Sequence, residues 1–430
     1  FSAINDNESL KSTNFVLDTN SRISLSNNDG NSNNTVFGYK AFTNNGTVLG
    51  NVGADYNTVV GDLAMGVGNT TTAEYNTALG YATLEDLTTG DNNVAVGAGA
   101  CRQLTEGLNN VAISTNALYT ATTQDECIAI GRDALYALND DAADGSIGIG
   151  HFALKALTTG TGNLAIGYLA LQGHTTGHRN IAIGYGTMRD TDHHADVQGS
   201  IDNTFIGFQS GGGEWQTNDS NYNVGIGNYV MDADGMNGAL YNTAVGMSAL
   251  SSLTSGARNI AVGSNAGLGL ADSTDCTFIG YQAGEDVDSS GSVPHGCTYV
   301  GSYSGKNLDD GTHNTAVGFN AMIGTTGGST CNLNVGIGKD ALESIRTGDQ
   351  NVVIGADAGD GTVDVDDTVI IGYGAGSGVM TDVADGTVAI GKSALAALTS
   401  GAKNIAIGYD AMGDLTEGSN NIAIGYDAMN

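Results

Sequence analysis

One short motif, Asn-x-Ala-[Ile/Val/Leu]-Gly, recurs along almost the whole chain, and its period limits the fold more than any other feature. From Gly38 to Gly425 it appears in 22 units, with Ser114 once in place of the glycine. Of the 21 spacings between units, 12 are 17 residues and the others are 19 to 23. A 17-residue unit cannot enclose a core alone, whereas stacked units enclose one together, one coil per repeat. Extra residues that leave the motif intact belong at one turn, outside the framework.

The residue before the glycine is apolar in all 22 units. Two positions earlier the residue is Val, Ile or Thr in every unit except that of Leu164. Between them lies Ala or Gly in 15 units; the others carry Val36, Val59, Phe205, Phe278, Tyr299, Val353 and Ile370. Side chains alternate along a strand, so this strand is apolar on both faces, as in buried parallel sheets. One face is expected to pack into the coil's own core and the other against another copy of the chain. In "NIAIGYDAM" (404–412, repeated at 421–429) this puts Ile405 and Ile407 on one core and Ala406 on the other. Thr precedes the central residue in 8 of 22 units; a threonine array for ice or crystal is weak if that face is buried.

Four residues before the glycine stands Asn in 16 units, including Asn76, Asn93, Asn110, Asn163, Asn180, Asn242, Asn259, Asn404 and Asn421. Identical Asn side chains stacked in register form hydrogen-bonded ladders. The exceptions are Cys127, Ser146, Cys276, Cys297, Thr368 and Thr387, all small. After the glycine comes x-x-Ala-[Leu/Met], then often Leu-Thr-x-Gly. The unit therefore reads as a strand, a glycine corner, a second short strand and a glycine turn. The corners include Gly80, Gly97, Gly167, Gly184, Gly246, Gly263, Gly408 and Gly425. No 3.6-residue apolar period with cap signals occurs. The predicted fold is all-β: a parallel β-solenoid, or β-roll, of about 22 coils over residues 34–430, roughly 100 Å long at the parallel-strand spacing. Residues 1–33 are expected to be a β lead-in or cap, with "NFVLDTNSRISLS" (14–26) alternating as a strand.

Composition agrees: 66 Gly, 1 Pro and 40% hydrophobic residues suit short strands and tight turns. They exclude collagen and a disordered polar tract. A formal charge of −32 argues against nucleic acid or an anionic membrane surface as partner. No apolar run is long enough for a spanning helix. Cys101, Cys127, Cys276, Cys297 and Cys331 match no zinc spacing. A disulfide between Cys276 and Cys297 in adjacent coils competes with the simpler reading of small buried thiols in ladder slots.

The motif N-x-A-I-G-x-x-A, as in "NIAIGYDA" and "NLAIGYLA", resembles the head repeat of trimeric autotransporter adhesins over residues 34–429. That resemblance implies a left-handed parallel β-roll in a homotrimeric fibre, intertwined or side by side. The adhesin repeat is shorter than 17 residues, which leaves the coil shape open. The stretches 13–41 and 76–97 are similar to long repeat fibres of marine phages, a likeness that implies a virion fibre for host recognition. Neither an adhesin anchor and stalk nor the self-cleaving chaperone common in tail fibres stands in the sequence. The uncapped last repeat predicts a further domain after Asn430, or an edge that itself assembles. Phe1 reads as a processed end or the start of a fragment.

Candidate binding residues lie mostly in turns. The expected bulging insertions, around 43–56, 188–202, 211–222, 285–296 and 323–333, carry Trp215 and Pro294, and Trp215 is the candidate ligand contact among them. Tyrosines follow the glycine at eight corners, Tyr168 and Tyr185 among them; such a column either holds sugar rings or locks neighbouring coils. Acidic turns at 139–145, 231–235, 285–290, 360–367 and 381–386 are oxygen-rich. Asp232, Asp234, Asp364, Asp366 and Asp367 are the candidate Ca2+ ligands there. "DTDHHAD" (190–196) offers His193 and His194 with Asp190, Asp192 and Asp196 for a transition metal. No cofactor is required by this reading, and no constellation of unlike residues marks an enzyme. The expected function is a non-enzymatic fibre, extracellular or on a virion, attaching to a host glycan or protein. Its partner is itself, as a homotrimer or as a filament stacked end to end.

Overall fold

Each repeat contributes one three-residue strand, from β1 (Thr35–Phe37) to β22 (Ile422–Ile424). The computed structural model describes residues 33–43, 53–139, 143–191, 199–216, 218–286, 294–325 and 329–430. Residues 1–32, His193 and His194, and parts of the insertions and acidic turns lie outside them. Successive strands pair parallel and in register, Thr35 beside Thr58 in the first pair and Ile405 beside Ile422 in the last. Equivalent residues therefore form columns along the rod, whatever the length of the turn between them. Among the described residues there is no α-helix, and a 3-10 turn spans Asp382–Ala384. The fold is an all-β parallel solenoid of 22 coils.

Two expectations are corrected. Within its own chain the strand buries one face only. Its central residue is buried in every coil from Val59 to Ala423, while both flanking residues are half-buried or exposed in all 22 strands. Ala406 thus points into the coil's own core, and Ile405 and Ile407 point out. The reason is size. The Leu or Met four residues after the glycine fills most of a narrow coil, as Leu84 and Met412 do, and leaves room for alanine opposite.

The second correction concerns the corner. The segment after the glycine is no strand but a run of turns in which alternate residues are left-handed, such as Ala82 (φ 52°) and Leu84 (φ 49°). Its amides still bond to adjacent coils: Ala82 N donates to Asp62 O at 2.9 Å and Leu84 N to Ala100 O at 3.1 Å.

Core volume is balanced within single coils. Where the strand inserts Phe205, Phe278 or Tyr299, the Leu/Met position becomes Gly211, Gly284 or Gly305. A Cβ on Gly305 would stand 2.6 Å from Tyr299 Cγ, and one on Gly284 2.9 Å from Phe278 Cδ1.

Candidate functional site

The Asn column is the most regular polar feature. Asn93 donates from its backbone N and from Nδ2 to Asn76 Oδ1, at 2.9 and 3.1 Å. Nδ2 also donates to Gly107 O in the next turn at 2.8 Å. The pattern repeats from Asn110 to Asn93, Asn180 to Asn163, Asn259 to Asn242 and Asn421 to Asn404, with both donors within 3.2 Å. Each amide satisfies buried backbone that the turns leave unpaired. Cysteine substitutes directly: Cys297 Sγ donates to Gly311 O at 3.2 Å, the carbonyl an Asn would reach. All five cysteines are buried free thiols, so the Cys276–Cys297 disulfide is not formed. Burial pushes the Cys127 and Cys331 thiols up to about 12.

The glycine corners bring backbones together. The eight named above have φ between +126° and +142°. A Cβ on Gly167 would lie 2.6 Å from the Gly184 carbonyl carbon.

Trp215 is not exposed. It is fully buried, edge-on to Phe205 with centroids 6.0 Å apart, and its Nε1 donates to Gly211 O at 3.2 Å. Its insertion forms its own parallel bridge, Trp215 to Met236, and folds into the rod. Pro294 is buried as well. Neither residue is available to a ligand.

The acidic turns are held by internal bonds. Arg346 binds Asp364 through two nitrogens, at 3.1 and 2.7 Å, and holds its carboxyl below the usual range. Asp366 Oδ1 accepts the Asp349 amide at 2.7 Å, and Asp367 donates its own amide to Asp349 O at 3.1 Å. Burial and then the charge of Asp234 raise Asp232 to about 6. Asp234 accepts the Glu214 amide at 3.3 Å. Among the described residues no three His, Cys, Asp or Glu side chains gather as a metal site requires.

Two surfaces remain. The first is the outer face of the sheet, two columns of side chains running the length of the rod. All 44 positions are Ile, Val, Leu, Phe or Thr, without one charge, in a chain of net charge −32. The eight threonines lie on this exposed face, not a buried one, scattered among aliphatic neighbours. Twelve of its aliphatic or aromatic side chains are more than a third exposed, so the stripe offers on the order of 2,000 Å², several times the largest apolar patch of a typical monomer.

The second is the aromatic corner. Tyr168 stacks on Tyr185 at 5.0 Å, and Tyr185 on Phe208 at 5.3 Å. These rings cover one another's faces and lock coils together. Tyr81 differs, because the next coil places Ala98 and Gly99 where a ring would stack. A hollow of about 300 Å³ opens there, lined by Tyr81, Ala98, Gly99, Arg102, Asn116 and Tyr119. Sequence reasoning did not single it out. The available signal was the column five residues after the corner, which runs Glu85, Arg102, Tyr119, Tyr136, Lys155 and Gln172: six long, chemically unlike side chains in a molecule built on repetition. A scan against protein-family models finds no match, and no curated protein matches the sequence.

Proposed function

We propose that this chain is the shaft of a non-enzymatic fibre, extracellular or on a virion surface, that assembles as a side-by-side homotrimer and serves attachment to a host surface. The uncharged outer stripe carries the reading. A surface of that size exceeds the ~800 Å² per partner of a standard interface. Acidic rods otherwise repel one another, so a face free of charge is where copies can approach. Burying half the stripe would remove on the order of 1,000 Å² of apolar surface per chain from water, a driving force of about 25 kcal/mol before association costs. A rigid parallel rod with repeated side-chain columns suits a spacer better than a catalyst, which needs unlike residues converging at one place.

The test is the mass in solution. Sedimentation of the intact chain is expected to give three times 43.5 kDa. A variant with Ile183→Glu and Ile337→Glu, both on the outer face, is expected to run as a single chain. A wild-type mass of one chain, or a variant that assembles unchanged, sinks the proposal.

A further inference from the structure

The hollow beside Tyr81 is preorganised. Tyr119 stacks on Tyr136 with centroids 5.2 Å apart and planes 9° from parallel. Its hydroxyl accepts from Arg102 Nη1 at 2.9 Å, and Arg102 Nε pairs with Glu85, whose side chain is 8% exposed. Asn116 is held through Nδ2 by Asp133 at 3.0 Å. Its Oδ1 turns toward the floor, where a Cβ on Gly99 would come within 2.8 Å of it. Glycine at 99 therefore keeps the floor open. The Tyr81 ring, 53% exposed, presents a face that no aromatic side chain in the next coil covers.

We infer that this hollow binds one neutral hexopyranose ring of a surface glycan. The ring lies on the Tyr81 face in the place a stacked aromatic would take. Its hydroxyls meet the Arg102 guanidinium, the Asn116 carbonyl oxygen and the Tyr119 hydroxyl. A pyranose has apolar C–H faces and a polar rim, which matches an aromatic platform walled by fixed donors and acceptors. The volume of about 300 Å³ stands at the small end of ligand sites, suiting one ring and not a folded chain. Charge selects the neutral class. Glu85 balances Arg102, and the acidic surface around the site repels uronic and sialic acids. The inference rests on the attachment half of the proposed function, not on its assembly half.

The experiment uses the intact chain with cellohexaose, maltohexaose, mannohexaose and a galactohexaose, and with a hexagalacturonate as the anionic comparison. Saturation-transfer NMR and calorimetry read binding. At least one neutral oligosaccharide is expected to bind at one site per chain. Tyr81→Ala should weaken it at least about tenfold, the loss of one anchoring aromatic, and Gly99→Ala should weaken it by narrowing the floor. Tyr409→Ala, at the equivalent corner of a distant coil and stacked on Tyr426, should leave it unchanged. Tyr81 is exposed, so its truncation leaves the core intact, and circular dichroism confirms that. Binding by none of the neutral sugars, binding indifferent to Tyr81→Ala, or stronger binding of the galacturonate overturns the inference. A one-chain mass with sugar bound would sink the fibre and keep this site; a three-chain mass with none bound would do the reverse.

Discussion

Gly167→Ala probes what holds coil to coil. The new Cβ would stand 2.6 Å from the carbonyl carbon of Gly184 and closer still to its oxygen. Relief requires the coils of β8 (Leu164–Ile166) and β9 (Ile181–Ile183) to part by about 1 Å, since ordinary contacts begin near 3.5 Å. Two bonds flank that point, Gly184 N to Ile166 O at 2.8 Å and Gly186 N to Tyr168 O at 2.9 Å. Losing both costs about 2 kcal/mol. A φ of +141° adds about 1–3 kcal/mol for any residue with a Cβ. The sum is about 4 kcal/mol, concentrated at one junction of a stack whose coils touch only their neighbours. Gly145→Ala is the internal control. It has φ +69° and open space around an added Cβ, and sister coils place Tyr75, Asn92 and Glu126 there at φ 58–59°. Its cost should stay within about 1 kcal/mol. Urea unfolding with hydrogen exchange on the β8 and β9 amides measures both. If Gly167→Ala costs no more than Gly145→Ala, close backbone approach is not why glycine holds the corner. The same logic run backwards predicts that Ser114→Gly, relieving a serine at φ 109°, stabilises by about 1–2 kcal/mol.

Asn163→Ala should cost about 2–4 kcal/mol, because the buried Asn180 amide and side chain lose their acceptor and Gly177 O loses a donor; unchanged exchange protection at the Asn180 amide would refute the ladder's role. A pH dependence should arise at His174, which takes a core position filled by Leu87, Leu104, Leu138 and Leu157 in other coils. Its Nε2 faces Asn180 Nδ2 and its Nδ1 faces Thr191 Oγ1, both at 3.1 Å. Burial lowers its pKa from 6.5 to about 4, so the unfolded chain takes up a proton first. Stability is therefore full above pH ~6.5 and falls by about 3 kcal/mol as pH drops toward 4. Comparing urea midpoints of the wild type and His174→Leu across that window isolates the effect, and parallel curves would refute it.

Coil number and strand position were legible because both follow from the period: identical residues at a fixed spacing must stack. The direction of the strand was not. Ile405, Ala406 and Ile407 are apolar on both faces, and alternation of apolar with apolar carries no sign. Only the volume of the opposing Met412 settles it, and that position had been read as part of a second strand. Which of the two faces carries the exposed aliphatic stripe, and with it the proposed assembly surface, was for that reason left open by the sequence. Trp215 was misread because irregular sequence suggested a protruding loop, whereas its ring packs into the rod against Phe205 and its backbone bridges to Met236. The hollow at Tyr81 escaped notice because it is defined by side chains that are missing, at Ala98 and Gly99.

The pairing of Tyr299 with Gly305, and of Phe278 with Gly284, makes some repeats non-exchangeable. A gene of near-identical units gains and loses coils readily by unequal crossing-over. Joints between alanine-type coils, such as the two copies of "NIAIGYDAM", would pass unnoticed at any point. A joint falling between Tyr299 and Gly305 would bring tyrosine against leucine in one coil and alanine against glycine in the other, one overfilled and one hollow. Heritable changes of rod length are thus expected at the alanine coils, with the aromatic coils inherited whole.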